Sequence, residues 1–182
     1  MCAFPVVYNE EVRLSAVVEG CFARTVDDPR LDRLTRLAAY ITNCPLALIT
    51  TVSTVVDLNS VHGALKETLP RRFPREWSLC NYTILEKDLF IVEDTHLDSR
   101  FRDAPFVTGY PQVRFYAGVP LADAASNRLG SLCVIDHIPR QLENAQLLAL
   151  RDIGATVNEL MAIIRSEWEN RAQTEKPLQT TA

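Results

Sequence analysis

Apolar residues fall at helical spacing in three stretches of the chain and in short runs or alternations in five others. After Asn9, with Glu10 and Glu11 suited to the positive end of a helix dipole, Leu14, Val17, Val18 and Cys21 recur every three or four positions and predict a first helix. A second helix is predicted from Asp28, a short acceptor followed by Pro29 at the first helical position, with Leu31, Leu34, Leu37, Ala38 and Ile41 on its apolar stripe. Pro45 forces the residue before it out of the helical region and ends that helix near Asn43. Leu46 to Val52 is short, apolar and rich in branched side chains, which predicts a buried strand, and Thr54 to His62 predicts a second that turns at Gly63. Lys66 to Trp77 is basic, carries Pro70 and Pro74, and predicts a surface loop. Strands follow at Leu89–Val92, Val113–Leu121 and Leu129–Ile135, with a turn or short helix over Asp98–Pro105. The last helix runs from about Leu142 to Arg171.

Two helices, a set of strands, loops, more strands and a long helix predict an α+β layer, with helices on one side of a mostly antiparallel sheet. At 182 residues the chain suits one domain, which we set at residues 1–172 with a disordered tail at 173–182. The 47% hydrophobic and 23% charged composition is that of a globular protein, and the N-terminus lacks a signal-peptide pattern. No apolar run approaches the ~20 residues of a membrane helix, so no membrane partner is expected. Nineteen Lys and Arg against 23 Asp and Glu, with Arg71–Arg72 as the longest basic block, argue against nucleic acid as a partner. Five cysteines without a Cys-x-x-Cys pair read as reduced thiols in a cytoplasmic protein.

Three segments in order, FIVEDTHLDSRF, PFVTGYPQVRFYAGVPL and LGSLCVID followed by PRQL, resemble the GAF domain family in its bacterial sensory form. Weaker matches extend the resemblance from Asn9 to Ile164. It implies a central antiparallel sheet with the first and last helices on one face and a small-molecule pocket on the other. It also implies a signalling role in which a ligand shifts the packing or dimerisation of the terminal helices. The sequence departs from its relatives between Ser53 and Trp77: an acidic residue is replaced by Ser53, a Gln-Trp-Phe-type strand by Val56–Asn59, and the next loop is longer.

Alternation along Val113–Leu121 places Arg114, Tyr116 and Gly118 on one face and the apolar Phe115, Ala117 and Val119 on the other. The first set is therefore expected to line the pocket. Arg114 offers a fork of donors to a carboxylate or nitrogen oxyanion, and Tyr116 a flat face with a hydroxyl tip. The alternative for Arg114 is an ion pair with Asp94 or Asp98 that holds the loop. Alternation also aligns Ser131, Cys133 and Ile135, so Cys133 faces the cavity. Cys133 and Cys80 read as small buried hydrophobes, because no sequence neighbour lowers either pKa. Asp94 and Asp98 read as turn acceptors bordering the pocket, with Phe101 placed to cap it.

The candidate ligand-binding set is thus Cys80, Asp94, Phe101, Arg114, Tyr116 and Cys133, with no catalytic residue, no metal and no identified cofactor. His62, His96 and His137 lie apart without metal-ligand spacing, and His96 alone is a candidate to face a haem. Leu150, Ile153, Val157, Leu160 and Ile164 form a heptad-like seam, suited either to the sheet or to a second subunit, with Trp168 beyond it. The expected partners are an unidentified small molecule, a second copy in a homodimer and a signalling protein in trans. The alternatives are a non-binding dimerisation module and an enzyme resembling the free methionine sulfoxide reductases. Against the enzyme, Phe106–Gln112 holds no cysteine where the attacking thiol belongs, and Tyr116 and Cys133 replace binding carboxylates. The Cys-His pair of bilin-binding relatives and the Asn-Lys-x-Phe-Asp-Glu signature of cyclic-nucleotide-binding ones are absent.

Overall fold

Local chemistry sets the elements in the computed structural model, which describes residues 4–20, 25–64 and 66–174. Helix α1 (Glu10–Glu19) follows Asn9, whose side chain makes no capping bond. Helix α2 (Pro29–Thr42) starts as expected: Asp28 Oδ1 accepts from the Arg30 N–H at 2.8 Å, and the chain leaves through Asn43 in the left-handed region. Strands β1 (Leu46–Val52) and β2 (Val55–His62) follow, then β3 (Arg72–Pro74), a 3-10 turn at Arg75–Trp77 and the short helix α3 (Cys80–Thr83). The rest is β4 (Phe90–Val92), α4 (Pro105–Thr108), β5 (Phe115–Ala122), β6 (Arg128–Asp136) and α5 (Asn144–Thr174).

The six strands form one sheet in the order β3-β2-β1-β6-β5-β4, and every pairing is antiparallel. Strand β1 lies between β2 and β6 and is buried along its whole length, which explains its unbroken apolar run. The α+β class read from the sequence is the observed one.

Behind the sheet, Ala47, Ile49, Phe115, Ala117, Leu132 and Val134 meet Leu31, Ala38, Leu150, Ile153 and Val157 of α2 and α5. In front, Leu46, Leu48, Tyr116, Cys133 and Ile135 form a second cluster with α3 and the loops. The strand alternation of β5 and β6 therefore falls on the faces expected.

Several expectations need correction. Val18 is 82% exposed and Leu37 43% exposed, so neither belongs to its helix's buried stripe. The buried face of α2 is made instead by Leu31, Thr35, Ala38, Ala39 and Thr42, small enough for α2 to lie close on the sheet, with Thr35 Oγ1 2.7 Å from Ser60 Oγ of β2. Residues 66–77 hold an edge strand because Phe73 inserts into the front cluster, and an edge position tolerates Pro74. Asp98 accepts from the Arg100 N–H in a turn, and the helix in this region begins later, at Pro105. The α5 seam packs on its own sheet: Leu150, Ile153, Val157 and Ile164 are buried there and Leu160 is partly buried against them. Gly154 is part of that fit, since a Cβ there would come within 2.7 Å of Val119 Cγ1. Helix α5 also covers Gln173 and Thr174, the start of the expected tail; residues 175–182, like Cys2 and Cys21, lie outside the described residues. Among the described residues no helix is long and apolar enough to cross a membrane.

Candidate functional site

The front of the sheet carries a cavity of about 40 Å³. Its floor is Leu46, Leu48, Leu58, Tyr116 and Ile135 from four strands, and one wall is Ser78, Leu79 and Cys80 at the start of α3. Its cover comes from two stretches outside the inner strands: Leu69 and the β3 residue Phe73 in one, Phe106 of α4 and Pro111 in the other. The rings of Phe73 and Trp77 both meet Phe106 edge-on, with centroids 5.0 and 5.9 Å away. At the surface Thr68 Oγ1 and Tyr110 Oη are 2.5 Å apart and join the two segments. Leu58, Leu69 and Phe73, all within residues 53–77, thus supply both floor and cover.

The polar groups of this face are gathered beside the cavity. Tyr116 is 1% exposed and its hydroxyl lies 2.6 Å from Thr83 Oγ1. Gly118 leaves room for this pair, because a Cβ there would come within 2.5 Å of that hydroxyl and 2.7 Å of Thr83 Oγ1 and would displace them. The Cys80 and Cys133 Sγ atoms are 3.9 Å apart. Hydrogen bonding from Cys133 outweighs burial, and with help from the Ser131, Ser78 and Thr50 hydroxyls it holds the Cys80 thiol down at about 5. Burial, reinforced by the hydrogen bond to Cys80, pushes the Cys133 thiol up, and burial pushes the Tyr116 hydroxyl up.

Structures similar to this one place the geometry in a known frame. The GAF domain model matches residues 28–159, well over half of the chain. The chain belongs to the GAF domain family. Among solved structures, the GAF domain of an Acinetobacter phosphoenolpyruvate-protein phosphotransferase superposes with a TM-score of 0.63 at 14% identity, covering 90% of this chain and 99% of that one. The free methionine-R-sulfoxide reductase of Neisseria meningitidis, solved with its substrate, gives 0.58 at 15% identity over 94% of this chain and 98% of that one. At such identities the likeness establishes the fold, and this fold carries both enzymes and regulatory domains. In sequence, the chain is 59% identical over 70 residues to "Cyclic di-GMP phosphodiesterase PA2567" of Pseudomonas aeruginosa, a match that spans 38% of this chain and 12% of that protein.

Within this GAF domain the six expected binding residues are dispersed. Tyr116 and Cys80 line the cavity, and Cys133 lies directly behind Cys80. Phe101 is buried beside the cavity rather than over it, packed edge-on against Tyr82 with centroids 4.7 Å apart, and Arg100 lies over its ring. Arg114 stands just before β5 and outside the cavity lining; its Nη1 donates to the carbonyls of Val107 and Val113, each at 2.9 Å. Neither expected ion pair forms, since Asp98 is engaged by Arg100 at 2.6 Å and Asp94 Oδ1 accepts from the His96 N–H at 2.9 Å. Asp94 lines a separate open groove with Asp98 and Arg140. His96 is exposed. Among the described residues no group of three or more His, Cys, Asp and Glu could hold a metal ion.

Sequence reading missed the hydroxyl donors Thr50, Ser78 and Thr83, because hydroxyls spread over two elements and a loop have no periodicity. It also missed a buried charge cluster at the sheet's end. Arg13, 1% exposed, pairs with Glu10 at 2.7 Å and donates to the Val52 carbonyl at 2.5 Å. Arg75, 3% exposed, pairs with the same carboxylate and reaches Asn81 Oδ1 at 2.6 Å. Burial raises the Glu10 pKa, but hydrogen bonds from Arg13 and Arg75 prevail and hold it at about 2. An arginine inside an amphipathic helix would have been a signal had its position on the buried face been weighed.

Proposed function

We propose that this GAF domain is a regulatory sensor that takes a small, neutral, mostly apolar molecule into the cavity in front of the sheet. The observation that carries this reading is how the cavity is covered. Two stretches of chain, one with Leu69 and Phe73 and the other with Phe106 and Pro111, meet over it through ring edges and an exposed hydrogen bond, whereas the floor is made by the four inner strands of the sheet. Segments at a sheet edge or on the surface open at lower cost than the centre of a sheet. At about 40 Å³ the cavity is below the ~150 Å³ that admits a benzene, so binding requires the cover to lift. The lining favours ring or alkyl contact with one hydroxyl or thiol partner and disfavours anions. Arg114, engaged with carbonyls outside the lining, serves as a clip between β5 and α4 in this reading.

The likeness to a cyclic di-GMP phosphodiesterase supports an output in cyclic di-GMP turnover, with the domain regulating rather than performing the reaction. The output would pass to a partner in trans or through a homodimer. The α5 seam is filled, so a dimer would use outer faces, where Val12, Val18, Tyr40 and Ile163 are exposed. These exposed side chains also favour the second reading, a GAF interaction module that binds no ligand.

Thermal unfolding with a panel of phenol, indole and alkyl alcohols, against carboxylates and nucleotides, separates the two. A neutral ligand at about 100 times its Kd stabilises by roughly 2.7 kcal/mol, a shift of several degrees. A Leu48→Phe substitution, which fills the cavity, is expected to remove that shift. No shift from any neutral compound, together with a dimeric native mass, would overturn sensing in favour of the interaction module.

A further inference from the structure

Cysteines 53 positions apart in sequence meet in front of the sheet with their Sγ atoms 3.9 Å apart, one at the start of α3 and one on β6. Both are buried, at 4% and 0% exposure. A cysteine that only fills space sits among apolar atoms, but these two sit among hydroxyls. The Ser131, Ser78 and Thr50 hydroxyls favour the Cys80 thiolate, and Ser78 Oγ accepts from the Cys80 backbone N–H at 3.0 Å. The hydroxyls are themselves held, Thr50 Oγ1 3.0 Å from Ser131 Oγ and Tyr116 Oη 2.6 Å from Thr83 Oγ1. Buried hydroxyls are costly unless they are bonded, and hydroxyls close to a sulfur favour its thiolate over its thiol. Cys44 shows the contrast: it is buried behind the sheet, its thiol faces the Thr42 carbonyl at 3.8 Å, and burial pushes its pKa up.

We propose that Cys80 and Cys133 are a redox modification site, a buried dithiol that a hydroperoxide oxidises to a disulfide. Access assigns the roles. Cys80 lines the cavity and Cys133 does not, so Cys80 attacks the peroxide and Cys133 resolves. A volume of about 40 Å³ has room for a molecule as small as hydrogen peroxide, at ~10–15 Å³ for each water-sized occupant.

In the first step the Cys80 thiolate attacks one peroxide oxygen and an S–O bond forms. The O–O bond breaks, and the departing hydroxide or alkoxide takes up the proton that the thiol had released. Cys80 becomes a sulfenic acid. In the second step Cys133 sulfur attacks Cys80 sulfur, the S–S bond forms, the S–O bond breaks, and hydroxide leaves with the Cys133 proton as water. Two thiols and one hydroperoxide give one disulfide, one water and one alcohol or second water: two electrons pass from sulfur to oxygen. The lowered pKa of Cys80 and the raised pKa of Cys133 suit these roles. The site needs the cavity but not the sensing of an apolar ligand, so either reading can fail alone.

The test uses the reduced 182-residue chain, treated with equimolar hydrogen peroxide, then denatured, alkylated and digested with trypsin. Peptides 76–87 and 129–140 are expected as one species, lighter by two hydrogens than their sum and separated by dithiothreitol, with Cys44 still alkylated. In Cys133→Ser, dimedone is expected to label Cys80; in Cys80→Ser, Cys133 is expected to stay unlabelled. The pH–rate profile of Cys80 towards peroxide is expected to have its midpoint near 5. Ser131→Ala, which removes one donor, is expected to raise that midpoint by roughly one unit. Recovery of the two peptides separately alkylated after peroxide would overturn the proposal. So would consumption of Cys44 at the same rate, or a Cys80 midpoint at the ~8.5 of an ordinary thiol, none of which requires a variant to fold.

Discussion

Behind the sheet, Ala47, Ile49, Leu132 and Val134 pack against Leu31, Leu150, Ile153 and Val157, an aliphatic layer whose ring is Phe115. In front, Phe73, Phe90, Phe101 and Tyr116 share the space with two thiols and a set of hydroxyls. The back layer is closed by two long helices, whereas the front is closed by short helices and connecting segments. Both faces are buried, but the paired thiols lie on only one. The difference teaches that this sheet divides its labour: one face supplies cohesion, and the other a small cavity with a pair of thiols beside it.

The comparison breaks if equal truncations cost the same on both faces. Phe115→Ala, removing a wholly buried ring from the back, is expected to lose about 4 kcal/mol in urea titration. That corresponds to about 10 °C in Tm for a domain of this size. The same truncation at Phe106, half-covered over the cavity, is expected to lose only about 1 kcal/mol. A loss at Phe106 equal to that at Phe115 would show the front cover to be as much core as the back.

Glu10 ties the faces together, since it joins α1 behind the sheet to Arg75 beside α3. Glu10→Gln leaves two buried guanidiniums without their carboxylate and is expected to cost about 3 kcal/mol. Its folded pKa of about 2 lies below the ordinary 4.5, so the stability it contributes is full above about pH 4.5 and is lost as pH falls towards 2. Acid titration of stability should therefore be flatter over that window in Glu10→Gln than in the native chain. An unchanged slope would mean that the carboxylate is not the tie.

Smaller effects sharpen the picture of the front. Gly118→Ala places a methyl against the Tyr116 hydroxyl, which must swing off Thr83, at an expected cost of about 1.5 kcal/mol. Tyr116→Phe removes the hydroxyl while keeping the ring and is expected to cost about 1 kcal/mol, by leaving Thr83 Oγ1 with its weaker 3.5 Å bond to the Leu79 carbonyl. The two variants together should cost little more than Gly118→Ala alone, because both act on one hydrogen bond. Full additivity in urea titration would show that they act separately.

How much was legible follows the same division. The back of the sheet was readable because burial by long elements imposes a period: the alternation of β5 and β6 and the seam of α5 each name their buried side chains. Leu37 and Val18 were misread because helical spacing alone does not say where the apolar stripe ends. The front was readable only in part. Tyr116 and Cys133 could be placed on the right face, but Arg114, one residue before the strand begins, turned to nearby carbonyls instead of the cavity. Asp94 and Asp98 were rightly read as turn acceptors, yet they border an open groove away from the cavity.

By itself the sequence determined the α+β class, the central strand, the faces of β5 and β6, and membership of the GAF family, because these depend on periodicity and on contiguous motifs. Tertiary structure alone decided that Cys80 meets Cys133, that Thr50 bonds Ser131 across the sheet, and that Arg13 and Arg75 share Glu10. Such groups come from elements far apart in the chain, and their distance, burial and protonation exist only once the sheet has brought them together.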